Sequence, residues 1–252
     1  MTDSRDLLME TCLLAGRIMM ENGSEVYRVE DTMNRIAKNG GEPKSVSYVT
    51  ATGIFMSFRN QQLTQIESVG DRLINLEKVV AVNRLSREFA ENKITLQTLN
   101  HSLKEANQHT PSFPLYLQII CAGIVSSTLM YAFGGTWMEF FPTFLVGASG
   151  FFVSIFIKKR IELRFFDMFF ASFLIGVIAI LLGHFFQSMN ADHIIIGGVM
   201  PLVPGVAITN SFRDILAGHI ISGQARGTEA IIVASAIAVG IATALTLLGG
   251  LL

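Results

Sequence analysis

Charge is what this sequence has least of: only 15% of its 252 side chains are charged, 19 Lys and Arg against 20 Asp and Glu. Intrinsic disorder needs the opposite balance, many charges and few apolar groups, whereas half of these residues are hydrophobic and the mean hydropathy is +0.48. A net charge of -1 and a pI near 6.5 supply no basic field for nucleic acid, and no run of basic residues interleaves with aromatics. Cysteine is nearly missing too. Cys12 and Cys121 form neither a disulfide framework nor a metal-ligand spacing and read as apolar fillers. The first 110 residues contain no Gly-x-Ser-x-Gly elbow, Walker-type loop or His-Glu-x-x-His helix. No catalytic residue, cofactor or metal is therefore expected.

The few charges are segregated. Residues 1–110 hold 13 of the 19 basic and 14 of the 20 acidic side chains. Beyond Thr110-Pro111 the chain breaks into five uncharged stretches, residues 114–133, 140–157, 168–187, 194–209 and 230–251. Each approaches the length that crosses about 30 Å of hydrocarbon as a helix. The expected architecture is an α-helical membrane protein, with a five-span domain over residues 111–252 behind a small α+β domain over residues 1–110. Small residues along the spans, Gly123 with Ser127 and the run Gly147 to Gly150, suit close helix packing.

Orientation follows from the linkers. Lys158, Lys159, Arg160 and Arg164 lie between the second and third stretches, and Arg213 and Arg226 between the fourth and fifth. The alternate linkers, around Gly134-Gly135 and over residues 188–193, have no Lys or Arg. The positive-inside rule then puts the N-terminal half in the cytoplasm and the C-terminus outside. Residues 1–10 carry charges where a signal peptide would be apolar, which agrees with that placement.

In the polar half, residues 6–20 have apolar groups at helical spacing. A second helix begins after Ser24, with Val26, Val29, Met33, Ile36 and Ala37 on its apolar face, and Asn39-Gly40-Gly41 ends it. Residues 45–58 and 63–69 read as two or three strands. Asp71 is placed to cap a helix over 73–91, and residues 95–108 form another. The most distinctive string is Gly23-Ser24-Glu25-Val26-Tyr27-Arg28-Val29-Glu30, readable as a capped turn followed by a solvated charged face.

The fourth stretch is the unusual one. Gly197-Gly198-Val199-Met200-Pro201-Leu202-Val203-Pro204-Gly205 puts two prolines and three glycines inside a segment barely long enough to span. Each proline costs a helix interior about 3 kcal/mol, so a break is expected here. In lipid a break survives only where the freed backbone is buried in protein or faces water, the arrangement that forms substrate sites in secondary transporters. Gly197, Gly198, Pro201, Pro204 and Gly205 are the candidate substrate-binding residues, together with Asn210 and Arg213 just beyond, where Arg213 would attract a carboxylate. Asp214, His184 and Asp167 are the candidate proton-coupling groups, being ionisable residues at or within spans. Their alternative roles are plain ones: a basic anchor with its counter-charge at Arg213-Asp214, hydration at His184, and a structural pair with Arg164 at Asp167.

The order and separation of these strings, Gly23 to Glu30 first, then Pro201-Leu202-Val203-Pro204-Gly205, then Asn210 with Arg213-Asp214, resemble the threonine/serine exporter family over nearly the whole chain. Full-length members have about ten spans. Five spans resemble the split, YjjP-like type, which works with a separately encoded YjjB-like membrane subunit. The resemblance implies export of threonine and serine, or of succinate, across the bacterial inner membrane. It also implies a YjjB-like partner, although the small-residue faces equally permit a homo-oligomer. A membrane-tethered hydrolase and a non-transporting scaffold are the competing classes.

Overall fold

The computed structural model describes residues 2–58, 64–70, 74–109, 113–160, 163, 165–186 and 188–249. Expectations resting on Leu63, Asp71, Leu73, the Thr110-Pro111 boundary, Arg164, Gln187 and Leu251 lie outside the described residues. The chain is mostly helical and divides into two compact units. One is Met1–Ser112 with Val206–Thr228; the other is Phe113–Gly205 with Glu229–Leu252.

The first unit begins with helices α1 (Thr2–Glu21) and α2 (Val26–Asn39), followed by strands β1 (Ser45–Val49), β2 (Gly53–Phe58) and β3 (Thr64–Ser68). The strands pair antiparallel in the order β1-β2-β3, with Tyr48 opposite Phe55 and Phe55 opposite Ile66. Because side chains alternate across a strand, Val49, Ile54, Met56 and Phe58 point into the core while Val46, Tyr48, Phe55 and Ile66 remain exposed. Helices α3 (Leu76–Ala90) and α4 (Leu96–His109) complete this stretch. One core joins Met9, Cys12, Ile18 and Met19 of α1 to the whole apolar face foreseen for α2, to the inward sheet residues, and to Val82, Leu85, Leu99 and Leu103. Burial in that core pushes the Cys12 thiol pKa well up, so it stays protonated as a packing residue. Asn75 caps α3 by accepting from the Lys78 N–H at 3.4 Å.

The second unit contains α5 (Leu115–Ala132), α6 (Trp137–Arg160), α7 (Phe166–Phe185) and α8 (Ala191–Val199), and then a single 3-10 turn, Met200–Leu202. After the turn comes α9 (Gly205–Leu216), which belongs almost wholly to the first unit, and then α10 (Ile220–Gly249), which contributes to both. Among the described residues four helices, α5, α6, α7 and α10, are long and apolar enough to cross a membrane. The bent pair formed by Ala191–Leu202 and Gly205–Leu216 makes a fifth if it counts as one span. At 18 residues α5 reaches about 27 Å, close to the hydrocarbon thickness.

The break is where the prolines required it. Pro201 falls at the start of the 3-10 turn and Pro204 immediately before α9, so neither ring clashes with a helix interior. Two sequence-level expectations change. Lys158, Lys159 and Arg160 form the last turn of α6 rather than a linker, where their charge complements the helix dipole. Arg213 and Arg226 are likewise helical, in α9 and α10, because the connection between these helices is shorter than the charge pattern suggested.

Glycine lets the helices of the second unit meet backbone to backbone. A Cβ at Gly197 would lie 2.7 Å from the Ser126 carbonyl oxygen and 2.8 Å from Thr143 Cγ2, and one at Gly198 2.9 Å from Ile175 Cγ2. A carbonyl held in a helix cannot yield as a flexible side chain does. Gly197→Ala is therefore expected to destabilise this unit by about 1–3 kcal/mol, read as a lower unfolding midpoint of the purified protein. Gly205→Ala is the control, since a Cβ there meets nothing within 4 Å. Equal midpoints for the two variants would contradict the close-packing role of Gly197.

Candidate functional site

Two strings that lie far apart in the sequence meet in the first unit. After α1 the chain turns through residues 22–25, with Gly23 at φ +94°, a conformation costly for any residue with a Cβ. The turn is held from α1 by the Asn22 side chain, which donates to the Ile18 carbonyl at 2.7 Å. Glu25 then occupies the N-cap position of α2 in an extended conformation, yet its side chain makes no capping bond. A helix start without a cap leaves backbone donors unsatisfied.

The missing acceptor comes from 188 positions away: the Val26 N–H donates to Asp214 Oδ1 at 3.0 Å. Asn210 donates to the Gly23 carbonyl at 3.0 Å, and Arg226 Nη2 donates to the Ser24 carbonyl at 2.8 Å. Arg213 Nη1 donates to Glu25 Oε1 at 2.6 Å. From α10, the Ser222 hydroxyl donates to the Val49 carbonyl at 3.4 Å. His219 Nε2 stands 3.9 Å from Glu30 Oε2.

These contacts form two tiers. In the deep tier Arg226 Nε lies 3.3 Å from Asp214 Oδ2, with the side chains 6% and 0% exposed. The geometry is that of an ion pair rather than an aligned hydrogen bond. In the shallow tier the Glu25 carboxylate is shared between Arg213 and Arg28, whose Nε is 3.1 Å from Glu25 Oε2. Both arginine side chains are more than half exposed. The two tiers differ in energy. An exposed pair contributes about 0–1 kcal/mol, whereas removing one member of a buried pair costs about 3–5 kcal/mol. Burial works against the charged form of Glu25. Its own backbone N–H, the Arg213 hydrogen bond and the charges of Arg28 and Arg213 together outweigh burial and hold its pKa below the ordinary carboxylate value.

The remaining candidates are dispersed. Gly197 and Gly198 sit in tight helix contacts of the second unit, Pro201 in the 3-10 turn, and Pro204 and Gly205 at the break. Asn210, Arg213 and Asp214 belong to the first unit and meet the Gly23 to Val26 segment there. Asp167 is buried in the first turn of α7 and accepts from the Ser154 hydroxyl at 3.3 Å. His184 is exposed in the last turn of α7, its ring edge-on to Phe185. Among the described residues no group of three or more His, Cys, Asp and Glu is placed to hold a metal ion.

Sequence reasoning passed over Glu139. Its carboxylate is buried and accepts from the Thr136 N–H at 2.7 Å and the Thr136 hydroxyl at 3.1 Å. It also accepts from the Asn190 N–H at 2.7 Å, and His193 Nδ1 lies 3.3 Å away. One side chain thus ties the start of α6 to the start of α8. The Thr-x-x-Glu spacing of a capping box was the available signal. Arg226 was read only as a basic anchor; nothing local in the sequence announces that it is buried.

Comparison with known proteins identifies the family. The model of the family ThrE, described as "Putative threonine/serine exporter", matches residues 10–248. The chain is 23% identical over 254 residues to the "Probable succinate transporter subunit YjjP" of Escherichia coli K12, covering 98% of this chain and 97% of that protein. It is also 23% identical over 244 residues to the protein of the same name from Klebsiella aerogenes, covering 94% and 93%. Against the "Probable threonine/serine exporter" of Mycobacterium tuberculosis the identity is 20% over 242 residues, 94% of this chain but 45% of that longer protein. No solved structure matches. With its apolar helices and a match that runs almost end to end, this membrane-embedded chain belongs to the threonine/serine exporter family.

Proposed function

We propose that this chain is one subunit of a secondary transporter that exports small carboxylate-bearing metabolites, threonine and serine or succinate, across the bacterial inner membrane. The observation that carries the reading is the family match over residues 10–248 on a chain whose apolar helices include one interrupted by Met200–Leu202 and Pro204. Support for a second, YjjB-like membrane subunit comes from two relatives that are matched over 97% and 93% of their length and named as subunits, and from the longer relative, of which this chain corresponds to 45%. The role is transport without catalysis, and the relatives are named for transport. The basic residues at the end of α6 and in α9 and α10 favour a cytoplasmic N-terminus and an external C-terminus. In this reading the domain over residues 1–110 is cytoplasmic and Arg213 receives the substrate carboxylate. The break at Pro204 and Gly205 supplies the flexibility for alternating access, with proton movement as the driving gradient.

Pro204→Ala restores a backbone donor and lets helix propagate across the break. Pro204→Ala and Gly205→Ala are expected to reduce efflux of labelled substrate to the level of cells lacking the chain, with both proteins still in the membrane fraction. Wild-type efflux from either variant would remove the break from the mechanism.

A further inference from the structure

We infer that Arg28 and Arg213 form a carboxylate clamp, filled in the resting chain by the protein's own Glu25, from which the carboxylate of a transported metabolite displaces it. The inference rests on the carboxylate-export reading and adds to it a second arginine and an internal competitor.

Glu25 Oε1 is 2.6 Å from Arg213 Nη1 and Oε2 is 3.1 Å from Arg28 Nε, so each oxygen of one carboxylate meets a different guanidinium. Arg28 is further oriented by its Nε donating to the Tyr27 hydroxyl at 3.1 Å and by lying 5.8 Å from the centre of the Tyr27 ring. The arginine side chains are 53% and 58% exposed while Glu25 is 10% exposed. A ligand can therefore reach the cations from solvent while Glu25 lies beneath them. Guanidinium groups recognise carboxylates through paired donors, and Arg213 uses only Nη1 on Glu25. Release of the Glu25 side chain does not undock α2, because Asn210, Asp214 and Arg226 hold Gly23, Val26 and Ser24 through backbone atoms. Two positive groups around one internal carboxylate leave a net charge of +1, which favours exchange for a doubly charged anion.

The test is thermal unfolding of the purified full-length protein titrated with succinate, with uncharged succinamide as control. Glu25→Gln removes the competitor and is expected to tighten succinate binding by about three- to fivefold. Arg28→Gln and Arg213→Gln are each expected to weaken it by about tenfold or more. Succinamide should shift none of them. Unchanged or weaker binding in Glu25→Gln, or wild-type binding in either arginine variant, overturns the clamp. If Glu25→Gln does not fold, the two exposed arginine variants decide the matter alone. Succinate shifts in a wild-type chain that gives no export, with or without a partner, would contradict the exporter reading and leave the clamp standing; normal export in Arg28→Gln would overturn the clamp and leave the exporter reading standing.

Discussion

Asp214→Ala is expected to lower the unfolding free energy of the first unit by about 3–5 kcal/mol, the cost of leaving one member of a buried ion pair without the other. The side chain is 0% exposed and faces Arg226, itself 6% exposed. Removing it takes away the carboxylate that Arg226 Nε faces at 3.3 Å in the interior. It also uncaps α2 at Val26, for which about 1 kcal/mol is typical. Denaturant unfolding of the purified protein measures the sum, and hydrogen exchange at Val26 and the following amides locates it. A double substitution, Asp214→Leu with Arg226→Met, removes both charges at similar volume and is expected to recover most of the loss. If Asp214→Ala stays within about 0.5 kcal/mol of wild type, as surface substitutions do, the deep tier is not what fastens residues 206–228 to the N-terminal fold.

The second large effect belongs to Glu139. In Glu139→Ala the N–H groups of Thr136 and Asn190 lose their acceptor, and the Thr136 hydroxyl loses its own. Thr136 and Asn190 are exposed, so water can replace the lost acceptor, and the loss expected is that of the hydrogen bonds and helix caps themselves, about 1–2 kcal/mol. Glu139→Gln keeps one acceptor oxygen in place and should lose about half as much. Unfolding midpoints of the two variants in one detergent separate the cases. Equal losses would show that negative charge at the two helix starts, rather than acceptor geometry, is what Glu139 contributes.

Local chemistry was readable in the sequence because it is written at short range. The apolar face of α2, Val26, Val29, Met33, Ile36 and Ala37, is buried throughout, as 3.6-residue periodicity requires. The prolines at 201 and 204 marked the break because two of them three positions apart remove two N–H donors from one short segment, whereas the single Pro142 is accommodated inside α6. Longer-range chemistry was not readable. The Gly23 to Glu30 string looked like a turn and a solvated face, yet Ser24 and Glu25 are buried, because partners from α9 and α10 reach them from about 190 to 200 positions away. Arg226 carried the signature of a charge at a membrane boundary, and only the position of Asp214 explains how it is buried instead. Both strings were noticed for their composition. That one fastens the other is a property of the fold.

Efflux tests the central claim most directly. Cells lacking this chain are loaded with labelled succinate, threonine and serine, then supplied with this chain alone, a YjjB-like partner alone, or both. The account predicts faster efflux of a carboxylate-bearing substrate only when both are present. Unchanged efflux in every combination, with both proteins verified in the membrane, would contradict it.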